Sequence, residues 1–166
     1  HKGRIVLIAD TLVHEWPDEE DLANIATRAA GVARHLGLEP RVAFVSFSTF
    51  GYPKSERAEK MHLAPSVLER RGVDFEYEGE MTVDVALNTR AQDAYPFQRL
   101  TGPANILVVP ARHSASISVK LMQEMAGATV IGPILSGIDK SIQICSSTST
   151  ASDILNMAVL AACKVG

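Results

Sequence analysis

Aromatic residues make up only 5% of this 166-residue chain, and cysteine occurs twice, at Cys145 and Cys163. The two cysteines lack metal-ligand spacing and both sit in apolar stretches, which suggests no zinc site and predicts reduced, packed thiols rather than a disulfide. No apolar run reaches the about 18 to 20 residues that a bilayer span needs. The N-terminus does not show a signal peptide's order of basic, apolar and small residues. The expectation is therefore a cytoplasmic protein with no membrane partner. Basic charge is not in excess either: the formal net charge is -3, the pI is near 5.9, and Lys and Arg are scattered. That excludes a broad polyanion surface and gives nucleic acid no support as a partner. Internal repeats and low-complexity linkers are absent as well. What is present is 46% hydrophobic residues, enough for the core of a single domain spanning 1–166. The chain opens at His1 rather than Met, which suggests a processed product or a piece excised from something longer.

Short β-branched apolar runs alternate with helical patterns. Arg4 to Ala9 (RIVLIA), Arg41 to Phe47 (RVAFVSF) and Asn105 to Val109 (NILVV) read as strands buried on both faces. Phe75 to Glu78 reads as a shorter strand. Pro17 and Asp18 open a helix whose apolar positions Leu22, Ile25, Ala29, Val32 and Leu36 recur at helical spacing, with Gly37 as its stop. Ser55 to Arg71 reads as two short helices broken at Pro65, because proline removes a backbone donor and clashes with the preceding turn. Thr82 to Leu87 reads as a short helix, and Ser114 to Met125 as a longer one capped by Ser114 or Ser116. The spacing predicts two more strands, Thr129 to Leu135 and Ser141 to Cys145, and a closing apolar helix over Thr150 to Cys163. Ile154, Met157, Ala158 and Ala161 of that helix are expected to pack on the sheet. This alternation defines an α/β protein with a mostly parallel sheet and helices on both faces, in which ligands bind beyond the carboxyl ends of the strands.

Candidate chemistry follows from that rule. Ser146 to Thr150 (SSTST) stands between a predicted strand and a helix, where hydroxyls and free amides can hold a phosphate or carbonyl oxygen. The alternative is a turn that only caps the helix. Ser46, Ser48 and Thr49, with Gly51 nearby, take the same position after the second strand; the alternative is an ordinary polar loop. Arg112 and His113 follow the NILVV strand, offering a cation and an imidazole to an anion, unless they are simply solvated. Asp10 ends the first strand as in phospho-accepting receiver domains. Without a preceding acidic pair or an aspartate closing the third strand, however, the metal site that chemistry needs is missing. The acidic run Glu15 to Asp21 suits a solvated helix start, and Tyr95, Pro96 and Phe97 suit a packed turn.

Five stretches carry a resemblance over nearly the whole chain: AFVSFSTFG (43–51), GEMTVDVALN (79–88), YPFQRLTGPANILVVP (95–110), KLMQEMAGATVIGPILSG (120–137) and SDILNMAVLAA (152–162). Together they resemble the C-terminal half of the phosphate acetyl/butyryltransferase family. This implies a phosphotransacetylase-like, isocitrate/isopropylmalate dehydrogenase-like fold whose other half contributes to the coenzyme A cleft. Within that family the YPF, GPANILV and VIGPIL segments look most like the C-terminal extension of bacterial NADP-dependent malic enzymes. That likeness implies an acetyl-CoA-sensing, oligomer-forming module built from dimers, joined to upstream malate-oxidising domains that hold NADP and a divalent metal, with no cofactor in this domain. It also implies an acetyl-CoA site drawn from Ser146, Asp153, Ser48, Thr49, Arg112 and His113. The family's Ser-Arg pair and following aspartate fall on Ser146, Ser147 and Asp153, so Ser147 replaces a catalytic arginine. A second catalytic arginine falls on Glu124. The family's aspartate and asparagine beyond the third strand fall on Ala111 and His113. Losing one preorganised donor for developing charge costs about a hundredfold to a thousandfold in rate, so acyl transfer is expected to be lost. A working phosphate acetyltransferase or butyryltransferase, making acetyl-CoA from acetyl phosphate and CoA, is the alternative. A purely structural dimer module that binds nothing is a third possibility.

Overall fold

Strand pairing begins where the β-branched runs are densest. In the computed structural model, which describes residues 3–163 except the side chain of Arg57, four parallel strands form one sheet: β1 (Leu7–Ala9), β2 (Arg41–Val45), β3 (Glu76–Met81) and β4 (Ile106–Val108). Their spatial order is β1-β4-β2-β3. Residue alternation sends each strand's side chains to both faces. Val42, Phe44, Ile106 and Val108 join one core cluster, and Ala43, Val45, Leu107 and Met81 join the other.

Helices α1 (Glu19–His35) and α2 (Glu56–Arg71) cover the first face. Asp18 caps α1: its carboxylate accepts from the Asp21 amide at 2.8 Å while Asp21 accepts from the Asp18 amide at 3.2 Å. Gly37 stops α1 with φ +74°, a backbone that side chains with a Cβ disfavour. The second face is covered by α3 (Val83–Leu87), α4 (Thr89–Gln92), the 95–104 segment and the start of α5 (Arg112–Ala126). The last element is α6 (Ala151–Ala162).

Several expectations are corrected. Helix α2 runs unbroken through Pro65. An interior proline costs about 3 kcal/mol, but Met61, Val67 and Leu68 are all buried on either side of it, at about 1.5–3 kcal/mol each. Burial outweighs the kink. Helix α5 starts at Arg112 with Ala111 at its cap position; Ser114 turns back, its hydroxyl donating to the Ala111 carbonyl at 2.8 Å. Residues 129–135 and 141–145 form no strands: among the described residues neither stretch pairs with any of the four strands of the sheet. Of α6, only Met157 is buried, while Ile154, Leu155 and Val159 are exposed, so this helix does not close over the sheet. Cys145 and Cys163 are free, as expected, but exposed rather than packed. No helix is long and apolar enough to cross a membrane among the described residues.

Candidate functional site at the carboxyl ends of the strands

The parallel sheet brings the ends of β1, β2, β3 and β4 to one side of the molecule. Asp10, directly after β1, is wrapped by its own loop: its carboxylate accepts from the amides of Leu12 at 2.8 Å, Val13 at 2.9 Å and His14 at 2.9 Å. The His14 Nδ1 lies 2.8 Å away. Burial alone would raise this carboxyl, but the three amides and the imidazole favour its anion and hold it below the ordinary carboxylate value. The loop then carries Glu15 towards the start of α5, where Glu15 lies 3.8 Å from Arg112 Nη2 and 3.9 Å from His113 Nε2. Two of the expected loops therefore meet through exposed ion pairs, whose contribution to stability is small.

After β2 the chain turns around a buried carboxylate. Glu80, at 0% exposure, accepts from Ser48 Oγ at 2.7 Å and the Gly51 amide at 2.8 Å. His62 Nδ1, from α2, lies 2.9 Å from its other oxygen. Ser48 is itself buried and gives its proton to Glu80, so it offers a ligand only its lone pairs. Thr49 Oγ1 accepts from the Thr82 amide at 3.1 Å and lies 3.4 Å from the Thr82 hydroxyl. Phe50 follows at φ +49°, its ring 5.3 Å from Tyr95 and 4.9 Å from Phe97. The 95–97 turn is thus packed on one side, while Phe97 stays largely exposed.

The Ser146 and Asp153 group bonds within its own segment. Ser146 Oγ lies 2.9 Å from Thr148 Oγ1. Asp153 accepts from the Thr150 amide at 2.9 Å and the Thr150 hydroxyl at 2.8 Å; these two bonds hold its carboxyl below the ordinary value. Thr150 and Asp153 form the capping box of α6. Ser147 and Glu124 are both exposed. The structure therefore brings Arg112 and His113 to the β1 loop and leaves Ser48–Thr49 and Ser146–Asp153 as separate local networks.

Sequence reasoning missed Glu80 with His62, and Glu78 with Arg99. Glu78 is buried and lies 3.2 Å from Arg99 Nε, and the Arg99 guanidinium stands 4.8 Å above the Tyr77 ring. Burial would lower the Arg99 pKa, but Glu78 keeps it raised. The available signal was the run Glu76, Glu78, Glu80 in a strand beside the buried strand β2, since buried carboxylates need partners. Among the described residues, no group of three or more His, Cys, Asp or Glu is placed to hold a metal ion.

The sheet is parallel throughout, with polar loops at the carboxyl ends of its strands. Residues 1–162 match the phosphate acetyl/butaryl transferase family, and the chain belongs to that family. The EutD phosphotransacetylase from Staphylococcus aureus superposes on it with a TM-score of 0.90 at 27% identity, over 99% of this chain and 51% of that one. In sequence, the NADP-dependent malic enzyme of Rhizobium meliloti is 56% identical over 165 residues, covering 99% of this chain but 22% of its own length. The phosphate acetyltransferase of Bacillus subtilis is 32% identical over 159 residues, covering 95% of this chain and 49% of its own length. The chain thus spans about a fifth of the malic enzymes it matches, about half of the phosphate acetyltransferases of Bacillus subtilis and Clostridium acetobutylicum, and about a quarter of that of Nitratidesulfovibrio vulgaris.

Proposed function

We propose that this chain is the regulatory, acetyl-CoA-sensing and dimer-forming domain of an NADP-dependent malic enzyme, and that it has lost acyltransferase activity. The observation that carries this reading is the 56% identity with a malic enzyme over nearly the whole chain, against 32% with a phosphate acetyltransferase. A second support is chemical. Ser147 and Glu124 stand where the family resemblance places catalytic arginines, so a hydroxyl and an anion replace the two cations that would neutralise acetyl phosphate. Oxidation of malate to pyruvate, with its NADP and divalent metal, belongs to other domains of the longer chain.

Ser146, Asp153, Ser48, Thr49, Arg112 and His113 are the residues assigned to acetyl-CoA. Hydroxyls and helix amides suit the acetyl and pantetheine carbonyls. The coenzyme's phosphates need more cations than Arg112, itself beside Glu15, so affinity in the 166-residue chain alone is weak. Sensing requires acetyl-CoA to bind the active and inhibited assemblies with different affinity.

Two assays test the reading. Acetyl phosphate and CoA should yield no acetyl-CoA above a heat-killed control; turnover there would restore the acyltransferase alternative. In the full-length enzyme, acetyl-CoA should reduce malate-dependent NADPH formation, and Ser146→Ala should blunt that response with uninhibited activity unchanged. Asp153→Ala should act in the same direction, although it also removes the α6 cap. Identical inhibition curves would remove these residues from the sensing site, and an uninhibited wild type would sink the sensor.

A further inference from the structure

Trp16 is the only tryptophan of the chain, and it is 70% exposed. The loop that carries it is nevertheless tied down on both sides. Before it, the Asp10 carboxylate accepts from the amides of Leu12, Val13 and His14. After it, Pro17 is buried and Asp18 caps α1 through the Asp21 amide. An indole left in water on such a loop is a flat apolar surface ready for a planar ligand. Beside it in sequence stands Glu15, whose carboxylate lies 3.8 Å from Arg112 Nη2 and 3.9 Å from His113 Nε2. Both separations exceed hydrogen-bond length, so the guanidinium and the imidazole keep their N–H donors for another acceptor. Ion pairs as exposed as these contribute little, and an incoming anion exchanges with Glu15 at small cost.

We propose, resting on the acetyl-CoA reading above, that Trp16, Arg112 and His113 form the subsite for the nucleotide end of that ligand. The adenine stacks on the indole, and a phosphate displaces Glu15 from Arg112 and His113. The pairing of chemistries identifies this end of the molecule. A planar base joined to phosphate matches an aromatic ring beside a guanidinium fork, whereas the acetyl and pantetheine portions are neither aromatic nor anionic. Of the residues assigned to acetyl-CoA, Arg112 and His113 are the two whose side chains carry or can gain a positive charge, so the phosphate belongs at this loop and not at Ser48–Thr49 or Ser146–Asp153. Asp18 and Asp21 accept from each other's amides in the α1 cap, which leaves Glu15 as the carboxylate that competes with the ligand.

Because its emission comes from a single indole, the 166-residue chain reports on this subsite directly. Adenosine bisphosphate, the nucleotide end of coenzyme A without its pantetheine arm, should quench Trp16 saturably, and acetyl-pantetheine should not. Equilibrium dialysis then compares variants. Trp16→Leu and Arg112→Ala should each weaken nucleotide binding about tenfold, and Trp16→Phe should keep most of it. Glu15→Gln should strengthen binding severalfold, a gain that a merely structural Glu15 would not give. No quenching by the nucleotide up to its solubility limit, or equal binding by wild type and Trp16→Leu, would overturn the subsite. NADP also carries an adenine nucleotide, and tighter binding of NADP than of acetyl-CoA at Trp16 would assign the loop to a dinucleotide and overturn it as well. Malate oxidation indifferent to acetyl-CoA while the nucleotide still quenches Trp16 would sink the regulatory reading alone. Inhibition by acetyl-CoA with Trp16 silent would sink the subsite alone.

Discussion

Leu22, Phe44, Met61, Leu68 and Ile106 reach 1% exposure or less around the sheet, whereas Ile131, Ile142, Ile154 and Leu155 in the last third of the chain remain about half exposed or more. Both sets are large apolar residues. The difference lies in what stands opposite them: β2 is flanked on both edges by β3 and β4, while among the described residues no strand pairs with 129–145. Hydrophobic pattern selects which side of a segment wants cover, and the fold is decided by whether cover exists.

Substitutions sharpen that contrast. Phe44→Ala removes a large side chain from between two strands and α1, and should cost about 3–5 kcal/mol, read as a lower denaturant midpoint. Gly79→Ala comes next. A Cβ there would lie 2.7 Å from the Phe44 carbonyl oxygen at a φ of +147°, and neither the backbone of β2 nor that conformation yields readily, so about 1–3 kcal/mol should be lost. If Gly79→Ala melts like wild type, the close approach of β2 and β3 is not what fixes this position.

Asp10 adds a pH dependence. Its folded carboxyl lies below the ordinary value, so its contribution is fully present above the unfolded value of about 3.9 and is lost as pH falls through the lower folded one. Asp10→Asn should cost about 1 kcal/mol at pH 7 and flatten the stability profile below about pH 4. Parallel acid melts of the two proteins would contradict this. At the far end of the scale, Leu155→Ala on exposed α6 should stay within about 0.5 kcal/mol in the 166-residue chain. A loss of about 2 kcal/mol there, the size expected of a buried side chain, would break the contrast between the two regions.

The sheet was legible because β1, β2 and β4 are short β-branched runs between turn signals, and α1 because its cap, stripe and stop agree with one another. Pro65 misled through a local rule that burial of Met61, Val67 and Leu68 outweighs. The segments 129–135 and 141–145 misled for the opposite reason, since strand character in a sequence says nothing of the partner edge. At the candidate site, the loops after β1, β2 and β4 were found from the topology rule. The meeting of Arg112 with Glu15 and of His62 with Glu80 depends on how loops and helices sit against one another, which spacing along the chain does not encode.

Glu80 has a consequence for motion. Its oxygens tie together Ser48 and Gly51 from the loop after β2 and His62 from α2, so lifting that loop would leave a buried polar side chain without its partners. Such an opening is as costly as local unfolding of the sheet edge. Tyr52 and Phe47, displayed on the same loop at 81% and 61% exposure, therefore ride on a fixed support, and a ligand or neighbouring domain that meets them finds two rings already in place, with little conformational freedom left to lose on contact.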